Sequence, residues 1–371
     1  MDHESPDQPD CFMLSGRTLW QRSLSIWLIL GLFLLVGYGL SRSVRPAGEM
    51  VFPQKPKQKG AHVFGRLDTT NFDFLTRNNI EWVTLVPWTG QNDYRSLEAN
   101  HHYGDSARIQ QMNARFLARV GRVRAAGFKV FVKPHVWVEE TVDGKWRSDI
   151  FPETPEHWEQ WKNSYVDFIL RYAHLAEQAE AEMFCVGTEL SRLSMERPDF
   201  WRGLIDSVRS VYSGQITYAA NWYQEYTAIP FWDKLDYIGI QAYFPLAKVN
   251  SPNREELRNG WEPYLEEMRA LSTRFQKPIL FTELGYKSTS DAAIKPWEWV
   301  ENPTEEDRSL SMETQVNCYE AFFAAVWPQD WFAGVHIWQL RGDYLHDLDY
   351  SKWDFTPLGK PAEATIAKGF E

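Results

Sequence analysis

Phe184-Cys185-Val186-Gly187-Thr188-Glu189-Leu190 and Ile279-Leu280-Phe281-Thr282-Glu283-Leu284-Gly285 are two apolar runs that each stop at Thr-Glu. A buried strand normally ends in a turn residue, so a carboxylate at its carboxyl end must be hydrated, paired or used. Working outward from these runs, similar short segments rich in Val, Ile, Phe and Tyr recur near residues 61–66, 82–87, 129–133, 182–187, 215–220, 235–241, 279–282 and 334–338. Helical patterns fall between them at 70–78, 109–126, 156–178, 199–212, 253–275 and 310–327. This alternation is the signature of parallel βα units, and the spacing predicts an α/β fold, a (β/α)8 TIM barrel. The fifth unit is the irregular one, because residues 221–233 carry aromatics and Pro230 but little helical periodicity. A doubly wound open sheet is the alternative architecture. No Gly-x-Gly-x-x-Gly or Gly-x-x-x-x-Gly-Lys loop follows any strand, so we expect no nucleotide and no cofactor.

The rest of the chain sets limits on partners. Residues 24–40, LSIWLILGLFLLVGYGL, are uncharged over a length at the short end of what spans a bilayer, and they predict a transmembrane signal anchor. A tail at 1–23 precedes it, a Pro- and Lys-containing linker at 41–60 follows, and the barrel domain takes 61–371. A cleaved signal peptide is the other reading of the apolar stretch, with Gly37 and Gly39 as a poor cleavage site. Arg42, Arg45, Lys55, Lys57 and Lys59 outnumber Arg17 and Arg22, which on charge alone would keep the domain cytoplasmic. The short tail argues for a single-pass membrane protein with its large domain on the extracytoplasmic side. A net charge of -11 excludes nucleic acid as an obvious partner. Cys11, Cys185 and Cys318 form no disulfide framework. The 18 tryptophans are the compositional outlier, and their flat faces suit both a core and sugar rings.

The residues closing the strand patterns form a polar and aromatic ring: Arg66 and Asp68, Trp88, Lys133 with His135, Glu189, Asn221 with Trp222, Gln241 with Tyr243, Glu283, and Trp338. In a barrel this is the catalytic face. Two carboxylates among donors and aromatic planes are what glycosidic bond cleavage needs, one acid with a raised pKa to protonate the leaving oxygen and one ionised carboxylate opposite the anomeric carbon. We expect Glu189 as the acid and Glu283 as the ionised partner. Lys133 could equally neutralise a barrel-mouth carboxylate, His135 could sit behind the site, and Trp88, Trp137 and Trp222 could simply cover the rim. His101-His102 is no metal pair, since adjacent residues do not share a helix face and no companion motif exists.

Several segments in one order, KPHVWV (133–138), DGKWRSDI (143–150), FCVGTEL, ITYAANW (216–222), FWDKLDYIGIQAYFPL (231–246), ILFTELGY and FTPLGKPAE (355–363), closely resemble glycoside hydrolase family 113. The likeness runs from about residue 60 to the C-terminus. It implies a retaining β-1,4-mannanase of the large clan of barrel glycosidases, with Glu189 as acid/base on strand four and Glu283 as nucleophile on strand seven. It also implies that Lys133, His135, Asn221, Tyr243 and Trp338 line the subsite of cleavage. Thr188 departs from the wider clan, which usually has there an asparagine for the sugar 2-hydroxyl, so Asn221 or Lys133 must supply that contact. Two rivals stay open. One is a membrane-anchored glycan-binding barrel without catalysis; the other is a glycosidase for a cell-wall or exported polysaccharide, its specificity set by loops 89–107, 139–155 and 286–307.

Overall fold

The computed structural model describes residues 56–65, 67, 72–99, 106–299, 309–341 and 352–371. The expected tail, the apolar segment at 24–40, most of the linker, Arg66, Asp68 and the His101-His102 pair lie outside them. Among the described residues no helix is long and apolar enough to cross a membrane.

The strands are β1 (Gln58–Phe64), β2 (Trp82–Leu85), β3 (Trp88–Gln91), β4 (Lys129–Val132), β5 (His135–Val138), β6 (Met183–Thr188), β7 (Gln215–Asn221), β8 (Ile238–Gln241), β9 (Ile279–Leu284) and β10 (Phe332–Arg341). All but β3 and β5 close into a parallel barrel in the order β1-β2-β4-β6-β7-β8-β9-β10. Glu189 therefore follows the fourth barrel strand and Glu283 lies on the seventh, as counted from sequence. Each wall strand is covered on both faces, which is why β6 and β9 read as unbroken buried runs rather than alternating ones. Trp82, Phe131, Met183, Cys185, Ala219 and Leu280 fill the barrel interior as one cluster, while their neighbours Val83, Val130, Val132, Phe184 and Val186 belong to the outer core.

The outer layer is built from ordinary helix signals. Helix α1 (Asp73–Thr76) is a single turn, and α2 (Ser106–Ala125) is the first long one. Helix α3 (Pro155–Gln178) starts on Thr154, whose hydroxyl accepts from His157 N, with Pro155 in the first turn where its missing N–H is harmless. It buries Trp161, Tyr165, Phe168 and Tyr172 on one face. Helices α4 (Ser191–Glu196) and α5 (Pro198–Arg209) follow β6, and the irregular fifth unit contains only α6 (Glu225–Ala228) and a 3-10 turn at Trp232–Lys234. Helix α7 (Arg254–Phe275) opens on a reciprocal Asn253–Glu256 capping box. Among the described residues helices α8 (Met312–Ala325) and α9 (Pro361–Gly369) are the last of the layer.

Three differences from the sequence reading have local causes. Strand β1 begins at Gln58, so the last residues of the expected linker are already barrel wall. Its polar start is hidden from hydropathy because Gln58 pairs with His336 inside the barrel at 2.9 Å, and Gly60 lies where a Cβ would strike that same ring. Strand β10 runs past Trp338 to Arg341. Beyond Pro87 and Pro134, β3 and β5 form a separate two-stranded parallel sheet, an extension that the intervening prolines disguise as loop.

Candidate active site

Bulges gather where the site is built. The register shifts between Cys185 and Thr188 on β6, between Ile240 and Gln241 on β8 and between Val335 and Ile337 on β10. An extra residue at a strand end re-aims the next side chain, so these irregularities turn Glu189, Tyr243, Glu283 and Trp338 toward one mouth. Gly187 contributes by absence, since a Cβ there would meet Trp201 at 2.6 Å and Tyr218 at 2.8 Å. Glu189 itself takes a left-handed backbone, φ 52°, and its N–H donates to Ala219 O at 2.9 Å.

The mouth opens into a cleft of about 880 Å³ whose lining includes both Glu189 and Glu283. Of the residues expected from sequence, His135, Asn221, Trp222, Tyr243, Trp88 and Trp338 line it as well. Lys133 does not reach its surface: it is fully buried, and its ammonium donates to Glu283 Oε1 and, at 3.0 Å, to Gln241 Oε1. That is the neutralising position its strand end also allowed. Thr282 Oγ1 donates to the same Gln241 oxygen at 3.0 Å, which fixes the amide as Lys133's second acceptor.

Glu283 is only 4% exposed and is surrounded by donors. Tyr243 OH donates to Oε2 at 2.7 Å. Burial, and then the adjacent Glu283, push the Tyr243 phenol well above its usual range, so it stays a donor. His62 Nε2 and His135 Nε2 stand 3.7 and 3.9 Å from Glu283 Oε1. Burial first, and the Lys133 charge second, hold both imidazoles well below the ordinary histidine pKa, and among the described residues the His135 ring has no hydrogen-bond partner. The pair therefore offers neutral imidazoles beside a carboxylate. Burial also lowers the pKa of Lys133, against the opposing pull of Glu283.

Glu189 has a different setting. Arg147 Nε donates to its Oε2 at 2.9 Å. Behind it, Leu190 N donates to Tyr218 OH at 2.9 Å, and Tyr218 OH donates to Glu225 at 2.6 Å. Glu225 is wholly buried and also accepts from Ser191, Ser194 and the backbone N–H of Asn221, so one carboxylate ties the residue after the acid candidate to the end of β7.

Most of the described tryptophans go either to the core or to the cleft. Trp161, Trp201, Trp232 and Trp261 are fully buried, whereas Trp88, Trp137, Trp146, Trp222, Trp297, Trp299 and Trp338 line the cleft. Trp88, Trp137 and Trp146 meet edge to face at 5.5 and 5.2 Å along one wall. Trp222 stacks on Trp297 at 5.0 Å and 23° along another. Trp338 lies against His62 and Phe64, and the peptide joining it to Gln339 is cis. The sequence reading passed over His62, Arg147, Glu225, Trp297 and Trp299. Arg147 stood inside the quoted DGKWRSDI segment and the last two form a Trp-x-Trp in the 286–307 loop, but His62 and Glu225 carried no motif. Among the described residues no group of three or more His, Cys, Asp or Glu is placed to hold a metal ion.

Comparison with known proteins identifies the family of the barrel. No curated protein matches the chain. Among solved structures, a complex of a GH113 β-1,4-mannanase is 26% identical, covers 85% of this chain and 99% of its own, and superposes with a TM-score of 0.72. The GH113 β-mannanase of Alicyclobacillus acidocaldarius, solved with ManMIm, is 27% identical over 85% of this chain and 98% of its own, with a TM-score of 0.69. A β-glucuronidase from Ruminococcus gnavus, 12% identical with a TM-score of 0.53 over 86% of this chain and 50% of its own, shares the fold alone. The sequence profile of Glycoside Hydrolase Family 113 matches residues 64–360. The chain belongs to that family and is a glycoside hydrolase.

Proposed function

We propose that the enzyme hydrolyses β-linked polysaccharide, β-1,4-mannan in the first instance, with retention by double displacement. One observation carries the reading: the carboxylates at the ends of the fourth and seventh barrel strands line one aromatic-walled cleft and are held by unlike partners. Glu283, with Lys133 and Tyr243 on its two oxygens, has the setting of an anionic nucleophile that attacks the anomeric carbon. Glu189 protonates the departing oxygen and then takes a proton from the water that releases the sugar. Trp338 stacks beneath the reacting sugar, with His135 and Asn221 beside its hydroxyls. Trp88 and Trp222 belong to flanking subsites. Lys133 acts from below through Glu283. The mannan assignment draws on the similar solved mannanases and is the part that depends on loops.

The test is hydrolysis of a panel of β-1,4-mannans, glucans and cell-wall glycans, with the product anomer followed by NMR before mutarotation. Retained configuration on mannan, abolished by Glu283→Ala without loss of folding, is the expected result. Inverted product or an active Glu283→Ala enzyme rejects the mechanism, and activity on a glucan alone rejects the substrate. The apolar stretch at 24–40 further leads us to propose a single-pass anchor with the catalytic domain outside the cytoplasm. Protease added to intact cells should then remove the domain, and protection until permeabilisation would reverse the orientation.

A further inference from the structure

The two carboxylates of the cleft differ in what holds them. The donors to Glu283 stand at barrel strand ends, Lys133 just past β4 and Tyr243 just past β8. Glu189 is held from a loop. Arg147 gives its Nε to Glu189 Oε2 at 2.9 Å, while its Nη1 points back to Val136 O at 3.4 Å. Arg147 begins a 3-10 turn, Arg147–Asp149, that is closed on itself: Trp146 N donates to Asp149 Oδ2 at 3.0 Å and Asp149 N to Trp146 O at 2.9 Å. The guanidinium also lies 5.5 Å from the Trp146 ring centre. Both partners are mostly shielded, with 13% and 12% of their side chains exposed, so water screens this pair far less than a surface salt bridge.

We propose that Arg147 is a positioning residue for proton transfer at Glu189. It ties Oε2 and leaves Oε1 to face the glycosidic oxygen. The inference rests on the reading of Glu189 as the acid. In the first step the O–H bond at Oε1 breaks and its proton goes to the glycosidic oxygen. The electron pair of the C1–O bond leaves with that oxygen, and Glu283 forms the new bond to C1. Negative charge grows on Glu189 as the proton departs, beside a guanidinium that is already in place and needs no reorganisation. The tie to one oxygen also restrains a carboxyl whose backbone sits in a sparsely populated conformation.

Leaving-group dependence separates this role from a structural one. A dinitrophenolate departs without a proton, whereas an unsubstituted phenolate needs one. With the full chain and the dinitrophenyl and phenyl β-mannobiosides, Arg147→Met should lower kcat/KM on the phenyl substrate by about 10–100-fold, and on the dinitrophenyl substrate by less than about 3-fold. Arg147→Lys should restore part of the phenyl activity. The ratio of the two rates within one preparation is independent of the folded fraction, so partial misfolding does not imitate the effect. Glu189→Ala is the control and should diverge in the same sense, further. Equal losses on both substrates in Arg147→Met, or no loss on either, with a diverging control, overturn the role of Arg147 and leave Glu189 as the acid. A control that does not diverge overturns the acid assignment, and the role of Arg147 with it.

Discussion

Lys133 has no water to fall back on, and that makes its removal measurable in stability as well as in rate. Its ammonium is fully buried and divides its hydrogen bonds between Glu283 and Gln241. In Lys133→Met, which keeps the unbranched shape, Gln241 Oε1 retains the Thr282 hydroxyl, but Glu283 is left 4% exposed with its counter-ion gone. Breaking a buried pair in this way costs about 3–5 kcal/mol. An unfolding entropy of about 2.1 cal/mol/K per residue, over a folded unit of roughly 320 residues, converts that loss into a fall of about 4–8 °C in Tm. Glu283→Gln should cost less, because burial already lowers the pKa of Lys133 and an unpaired ammonium there can give up its proton. The double variant Lys133→Met/Glu283→Gln contains neither charge and should be more stable than Lys133→Met alone, with a coupling of about 2 kcal/mol in the double-mutant cycle. Scanning calorimetry of the four proteins at pH 7 and fixed ionic strength measures all terms. A Lys133→Met melt within about 1 °C of the parent, or strict additivity in the double variant, would refute a charge pair that contributes to stability.

Two further outcomes follow from the same framework. Burial lifts the Glu225 carboxyl from 4.5 to about 6 against the pull of Tyr218, Asn221, Ser194 and Ser191, so its protonated form is favoured by folding. The associated stability is fully present below pH 4.5 and disappears as pH rises through about 6; Glu225→Gln should remove about 2 kcal/mol of that pH dependence, read as the difference between parent and variant melts from pH 4 to 7, and an unchanged difference would contradict it. Trp297 is 41% exposed and stacks on Trp222, so Trp297→Ala should raise KM for a long mannan about 3–10-fold at nearly constant kcat, while an equal effect on a short aryl glycoside would mean that the ring supports the reaction centre instead.

The sequence made the barrel readable because a parallel strand buried on both faces has to be apolar throughout. β6 and β9 obey that rule up to Thr-Glu, and counting such runs located one carboxylate directly after strand four and the other on strand seven. The rule fails where polar groups satisfy one another inside the wall. Gln58 and His336 do so, and Thr84 Oγ1 lies 2.7 Å from the other nitrogen of His336, which hides the start of β1. His62 escaped notice for a related reason: nothing in Ala61-His62-Val63 indicates that the middle side chain points at a carboxylate on a strand more than two hundred residues away. Arg147 illustrates the remaining limit. Its turn is set by the local Trp146–Asp149 hydrogen bonds, but its partner Glu189 is chosen by the way the 139–155 loop folds back over β5, and no periodicity encodes that return. The strand ends of the site, His62 apart, are thus located by burial patterns that hydropathy can read. The loop-borne half depends on contacts between segments remote in sequence. For that reason the geometry around Glu283 is expected to be common to barrels with this strand pattern, whereas Trp297 and Trp299 are where this enzyme's own selectivity should be sought.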